Sequence, residues 1–132
     1  MTEATVAALR EKYLDWTGEA LDQMHGMVTG LEETVPGEDA RLTGIFEIAH
    51  NLKGMGSSFG FPAMSDLGHL MCLYLRHGYT RGTRVRRALL ADQLGHMQRL
   101  IADARNAANS DWVDPAVASV KADLHREGVP TA

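Results

Sequence analysis

The sequence predicts an all-α protein, folded as an antiparallel four-helix bundle with an additional short C-terminal helix. Apolar residues recur at the three- and four-residue spacings that are typical of amphipathic helices. Aromatic residues make up only 6% of the chain, and seven methionines suit an aliphatic core between helices. Glycine and proline clusters separate segments of helical length, and the short connections favour antiparallel packing of neighbouring helices.

The first helix is expected from Thr5 to about Glu33. Its apolar positions keep helical spacing and are Val6, Leu9, Tyr13, Trp16, Ala20, Met24, Met27 and Leu31. Glycines at three positions weaken it: Gly18, Gly26 and Gly30. The segment Val35-Pro36-Gly37 is the first strong helix breaker.

The second helix is expected to begin at Glu38 and Asp39, where negative charge suits the helix dipole, and to run to about Ser58. After Gly60 and Phe61, Pro62 is well placed among the first residues of a third helix. That helix should fade near Gly78.

The fourth helix is expected after Tyr79-Thr80-Arg81-Gly82, and it should run to about Ala108. Residues 1–108 would then form the bundle, and residues 109–132 a C-terminal extension. Within that extension we expect a short helix from Asp114 or Pro115 to His125.

Composition narrows the classes of function. The formal net charge of -4 argues against nucleic-acid binding, which rests largely on neutralising phosphates. Cys72, the single cysteine, cannot form an intramolecular disulfide. No apolar stretch approaches the ~20 residues of a membrane span, and the N-terminal residues lack the pattern of a signal peptide. We therefore expect a monomeric cytoplasmic protein that binds neither nucleic acid nor membrane.

The segment around His50 has the strongest chemical potential. At about 100° per residue, His50 lies beside the apolar face of the second helix rather than on it. Phe46 lies one turn before it, Lys53 and Gly54 one turn after, and Ser57 two turns after. A neutral imidazole has a nitrogen lone pair that can attack phosphorus, and Lys53 supplies a cation for phosphoryl oxygens.

Two glycines in this segment lie where a helix is expected, and each lowers helix stability by about 1 kcal/mol relative to alanine. A steric requirement at each position would explain this cost. Gly56 falls on the core face, where it would let a neighbouring helix approach closely. Gly54 falls on the exposed stripe, where it would leave room over the imidazole for another protein.

The sequence contains the motifs Ala49-His50, Leu52-Lys53-Gly54 and Phe59-Gly60-Phe61, followed by a leucine-rich third helix. Together these motifs resemble the signature of histidine-containing phosphotransfer domains, including the related domain of chemotaxis histidine kinases. The sequence departs from the family at Arg76, where an acidic residue often follows the last leucine of that helix.

The resemblance implies that His50 accepts a phosphoryl group from a receiver-domain aspartate or a histidine kinase and passes it to another receiver. Lys53 would supply the supporting positive charge, and Gly54 would leave space for the partner to approach His50. Phe46 and Ser57 are candidates for partner contact. Because the sequence has no ATP-binding motif, we expect no kinase activity of its own and no cofactor, with Mg²⁺ held by the receiver.

Two other functions are compatible with parts of the sequence. Glu47 and His50 have the Glu-x-x-His spacing of di-iron bundles, echoed by Asp22 with His25 and Asp66 with His69. Di-iron ligands must project into the bundle core, whereas His25, His50 and His69 lie outside the apolar faces of their predicted helices. A bundle that keeps the phosphotransfer fold and serves only for association is the other alternative.

Overall fold

Residues 2–131 are described in a computed structural model, and they form five α-helices. These are α1 (Glu3–Thr29), α2 (Ala40–Met55), α3 (Pro62–Arg81), α4 (Arg87–Asn106) and α5 (Val113–Arg126). Helices α1 to α4 form a closed ring in which each packs on the next and α4 packs on α1, while α5 covers α3 and α4. The prediction of an all-α bundle is confirmed.

Contacts at both ends of the bundle show that α1 and α4 are antiparallel. Arg105, near the end of α4, pairs with Asp15 in the first half of α1 at 3.0 Å. At the opposite end, the Arg87 guanidinium donates to the Leu31 carbonyl just after α1. The start of α4 therefore lies beside the end of α1.

The core of the bundle is aliphatic. Leucine and methionine side chains from all four bundle helices are almost inaccessible to solvent, among them Leu14, Met24, Leu52, Met64, Leu67, Met71, Leu90 and Met97. Burial of such a side chain contributes about 1.5–3 kcal/mol, so this interior is the main source of stability.

The end of the first helix was predicted four residues too late, at Glu33. α1 runs through Gly18 and Gly26 without a break but ends at Thr29. Gly30 caps the helix, and its backbone N–H donates to the Gly26 carbonyl at 3.4 Å. Since the low helix propensity of glycine favours an end there, Leu31 enters the core from the following loop instead.

The predicted apolar stripe of the first helix was wrong at Val6, Leu9 and Trp16. All three are exposed, by 52%, 38% and 38% respectively. Residues 2–12 are exposed throughout, so the first turns of α1 lie outside the packed interior. Buried Leu14 and Thr17 show that the core-facing side of α1 is rotated relative to the predicted stripe.

The ends of α2 and α3 also differ from the sequence prediction. Asp39 caps α2 from outside, because its carboxylate accepts from the Arg41 backbone N–H at 2.9 Å. α2 ends at Met55 rather than Ser58, and a 3₁₀ turn over Ser57–Phe59 leads into α3. α3 begins at Pro62, as predicted, but continues to Arg81 instead of fading at Gly78.

The C-terminal helix is part of the hydrophobic core. Val120 and Leu124 of α5 are fully buried, and Val129 after it is 3% exposed. Trp112 joins α5 to α4, since its indole N–H donates to the Asp103 carboxylate at 2.6 Å. The Arg99 guanidinium lies 4.3 Å from the centre of the same indole. The division of the chain at residue 108 stays a prediction.

Candidate functional site on the α2–α3 face

His50 lies in the penultimate turn of α2 with its side chain exposed. The neighbouring positions Ile45, Ala49 and Leu52 are completely buried. α2 therefore holds His50 rigidly through its core face while the imidazole remains accessible. This orientation agrees with the helical wheel, and it is the geometry required of a side chain that reacts with another protein.

An aromatic and a cationic side chain support one flank of His50. The half-buried Phe46 ring stacks on the imidazole, with centroids 6.2 Å apart and an angle of 14° between the planes. The Arg76 guanidinium, one helix away on α3, lies 5.8 Å from the centre of the Phe46 ring. Phe46 thus connects His50 to α3, and Arg76 adds a positive charge that the sequence reasoning did not place there.

Close approach of α2 and α3 fixes the backbone around His50. A Cβ atom at Gly68 would lie 2.8 Å from both the Ala49 carbonyl oxygen and the Lys53 backbone nitrogen. These two residues flank His50 on α2, so any side chain at Gly68 would push the site away from α3. The sequence reasoning missed Gly68, although a glycine within a helix was a signal it used at Gly54 and Gly56.

The two glycines of the His50 segment lie in opposite environments, as the wheel predicts. A Cβ at Gly56 would lie 2.7 Å from the Phe61 carbonyl oxygen and the Ser65 backbone nitrogen, so α3 begins tightly against it. At Gly54, a Cβ would meet no atom of the described chain within 4 Å. The surface beside His50 is therefore open at Gly54.

Lys53 and Ser57 lie where the predicted stripe places them, after His50. Lys53 is half-buried and its side chain shares the His50 side of α2 by its i+3 spacing. Ser57 is exposed, but both its backbone N–H and its hydroxyl contact the Ser65 hydroxyl, at 2.8 and 3.2 Å. Ser57 therefore also links the 3₁₀ turn to α3.

His69 on α3 is a polar residue of this region that the sequence analysis considered only within the di-iron spacing. Its Nδ1 atom is buried without a hydrogen-bond partner within residues 2–131. Burial lowers the pKa of His69, the charges of Lys53 and Arg76 lower it further, and Asp66 acts in the opposite direction. A neutral His69 thus lies near two cations of the α2–α3 face.

The residues with di-iron spacing do not converge in the core. Glu47, His50, Asp22 and His25 are all exposed, and His69 is partly exposed. Within residues 2–131, no three His, Cys, Asp or Glu side chains lie close enough together to hold a metal ion. Over the same residues, no helix has the length and apolar character needed to cross a membrane.

The fold is a helical bundle, and the flank of α2 presents an exposed histidine beside a lysine and an open glycine. A model of the Hpt domain family matches residues 8–107, and the chain belongs to this family. It therefore functions in histidine phosphotransfer within two-component or phosphorelay signalling, in which Hpt domains interact with response regulators and kinases. Hpt domains are carriers rather than kinases. No curated protein sequence matches the chain.

Proposed function

We propose that this domain carries a phosphoryl group on His50 and exchanges it with the aspartate of a response-regulator receiver domain. The observation that carries this assignment is that His50 is exposed on a helix whose opposite face is buried in the core. Of the six histidines, His50 alone is followed by a lysine at i+3 and a glycine at i+4. The proposal rests on this combination and on the family of the chain.

The transfer needs one nitrogen lone pair and a good leaving group. A neutral His50 ring attacks the phosphorus of an aspartyl phosphate, so that a P–N bond forms while the P–O bond to aspartate breaks. The aspartate leaves as a carboxylate. The other ring nitrogen keeps its proton, which balances part of the negative charge of the bound phosphoryl group until solvent removes it. The reverse reaction follows the same path.

Residues around His50 support this step without performing it. The Phe46 ring stacks on the imidazole, Lys53 offers a positive charge to phosphoryl oxygens, and Gly54 lets the receiver backbone approach. Mg²⁺ held by the receiver supplies the remaining charge neutralisation. We further propose that the chain has no ATP-dependent activity of its own and acts as a monomer.

Phosphotransfer from a panel of receivers encoded in the same genome tests the proposal. Each receiver is charged with a labelled small phosphodonor, mixed with the domain, and the label on the domain is measured. We expect label that survives base and is lost in acid, as a P–N bond requires. His50→Gln should accept none, while the matched variants His25→Gln and His125→Gln, exposed on other helices, should accept label normally.

Equal labelling of His50→Gln and wild type would refute the assignment. If no receiver labels the wild-type domain, the association function becomes the better explanation. Metal analysis of the purified domain tests the di-iron alternative separately.

A further inference from the structure

An apolar groove opens between α2 and α3 at the end of the bundle where α3 finishes. Its volume is about 470 Å³. The walls are formed mainly by Pro36, Leu42, Phe46, Leu75, Arg76 and Tyr79. Tyr79 is 68% exposed, the most exposed of the large hydrophobic side chains in residues 2–131.

Close packing holds the walls of this groove in place. A Cβ at Gly37, whose φ is +99°, would lie 3.0 Å from the Tyr79 ring, so the backbone of the loop supports that ring directly. The Pro36 ring is packed equally closely against Gly78, where a Cβ would lie 3.1 Å from it. The groove is therefore preformed, and filling it requires little ordering of side chains.

The groove is continuous with the surface around His50. Phe46 stacks on His50 and also lines the groove, and Arg76 lies over the same ring. Phe46 is one turn from His50 and Leu42 two turns, which places the groove about 6–12 Å away along α2. A standard interface covers about 800 Å² on each partner, equivalent to a radius of about 16 Å. A protein seated on His50 therefore reaches the groove.

Arg76 is the sole charged residue among those that line the groove. It is exposed, and within residues 2–131 no carboxylate pairs with it. The complementary surface thus offers an apolar side chain for the groove and a carboxylate for Arg76.

We infer that this groove is a second docking point for the receiver, filled by an apolar side chain that lies beside an acidic residue on the receiver surface. The inference rests on the proposed transfer at His50 and adds the feature by which the domain selects among receivers. Receivers share the aspartate that meets His50, so an apolar and acidic pair at this distance from it is a feature in which they can differ.

Steady-state transfer from the receiver that labels His50 tests the inference. Arg76→Glu should raise the KM for the phosphorylated receiver about tenfold, because it replaces attraction by repulsion. Tyr79→Ala should raise it about threefold or more by removing one wall. In Tyr79→Ala, kcat should change less than about twofold, since Tyr79 does not touch the phosphoryl group. In Arg76→Glu, the rise in KM should exceed any change in kcat.

Lys121→Glu provides the matched control. Lys121 is an exposed cation on α5, which packs on α3 and α4, so the same charge change there should leave KM unaltered. Circular dichroism establishes that the variants fold, as expected for changes at exposed positions.

Unchanged KM in Arg76→Glu and Tyr79→Ala would overturn the inference while leaving transfer at His50 intact. A fall in kcat at constant KM would also overturn it, because the residues would then act on chemistry rather than docking. Self-association of the domain that Tyr79→Ala weakens would identify a second copy as the occupant instead. Failure of every receiver to label wild type would refute the proposed function itself.

Discussion

At the scale of single residues, Gly54 in the last turn of α2 and Gly56 directly after that helix have opposite physical roles. Gly56 is required by packing, because a side chain there would collide with the start of α3. Gly54 faces open space, so the fold has no steric need for it. The proposed docking of a receiver at His50 would give Gly54 a role that the fold itself does not require.

Substitution of Gly54 should separate stability from transfer. Gly54→Ala should raise the free energy of unfolding by about 0.5–1 kcal/mol, since alanine is the better helix former. Gly54→Leu should slow transfer about tenfold or more by holding the receiver away from His50. Urea unfolding and transfer rates measure the two effects.

Gly95 offers a matched control for Gly54. It lies within α4, is exposed, and a Cβ there also meets no described atom within 4 Å. Gly95→Ala should stabilise the domain similarly, and Gly95→Leu should leave transfer unchanged. A transfer rate in Gly54→Leu equal to that of wild type would contradict the proposal that Gly54 leaves space for the receiver.

His69 should make the stability of the domain depend on pH. Burial lowers its pKa in the folded state, so the unfolded chain takes up the proton first as the pH falls. Stability should therefore decrease once the pH falls below the ordinary value of about 6.5. His69→Gln should lose less stability than wild type between pH 7 and pH 5, as urea unfolding would show.

His25→Gln is the control for this pH effect, because His25 is exposed on α1. Its loss of stability on acidification should match that of wild type. An identical pH response in His69→Gln and wild type would show that the buried Nδ1 does not oppose protonation.

At the scale of helices, the contact between α2 and α3 determines the position of His50 more than the stability of either helix does. Gly68 brings the two backbones together beside Ala49 and Lys53. Phe46 and Arg76 form a second contact two turns away. The first contact flanks His50 on α2, and the second involves the ring that stacks on it, so the position of His50 depends on the spacing of the two helices.

Gly68→Ala should destabilise the domain by about 1–3 kcal/mol, although alanine favours helices, because the added methyl group overpacks the interface. It should also slow transfer by displacing the His50 turn. Gly95→Ala, where space is free, should have the opposite effect on stability. Urea unfolding compares the two variants, and stabilisation by Gly68→Ala would contradict the close contact.

Sequence reasoning predicted which segments are helical, because apolar spacing determines which faces can be buried. It was less successful at helix ends. The end of α1 at Thr29 depends on a cap at Gly30 that competes with an apolar pattern continuing to Leu31. The exposure of Trp16 could not be predicted from spacing either, because the apolar stripe does not reveal where neighbouring helices lie.

The site was predictable to a similar extent. The position of His50 follows from its own helix, as do those of Phe46, Lys53 and Gly54. Arg76 was not predictable as a neighbour of Phe46, since the register between α2 and α3 is a tertiary property. Gly68 could have been found, because a glycine in the middle of a helix has the same cost there as in α2.

At the scale of the whole molecule, the packed core extends beyond the region that matches the family model. The family match ends at residue 107, whereas Val120, Leu124 and Val129 belong to the core cluster. α5 covers the surface of α3 and α4. The α2–α3 face that presents His50 remains free for a partner.

Leu124→Ala should therefore behave as a core substitution. We expect a loss of about 2–5 kcal/mol in the free energy of unfolding, typical of a fully buried leucine. Lys121→Ala, exposed on the same helix, should change stability by less than about 0.5 kcal/mol. Similar values for the two variants, measured by urea unfolding, would mean that α5 contributes little to the fold.

Trp112 gives the junction of α4 and α5 its own optical signal. Its indole is held by Asp103 and lies beneath Arg99, whereas Trp16, the other tryptophan, is exposed on α1. In a Trp16→Phe background, tryptophan fluorescence would come from Trp112 alone. The emission would then report detachment of the C-terminal helix without any label near His50, so that opening of the bundle and receiver binding could be followed independently in one sample.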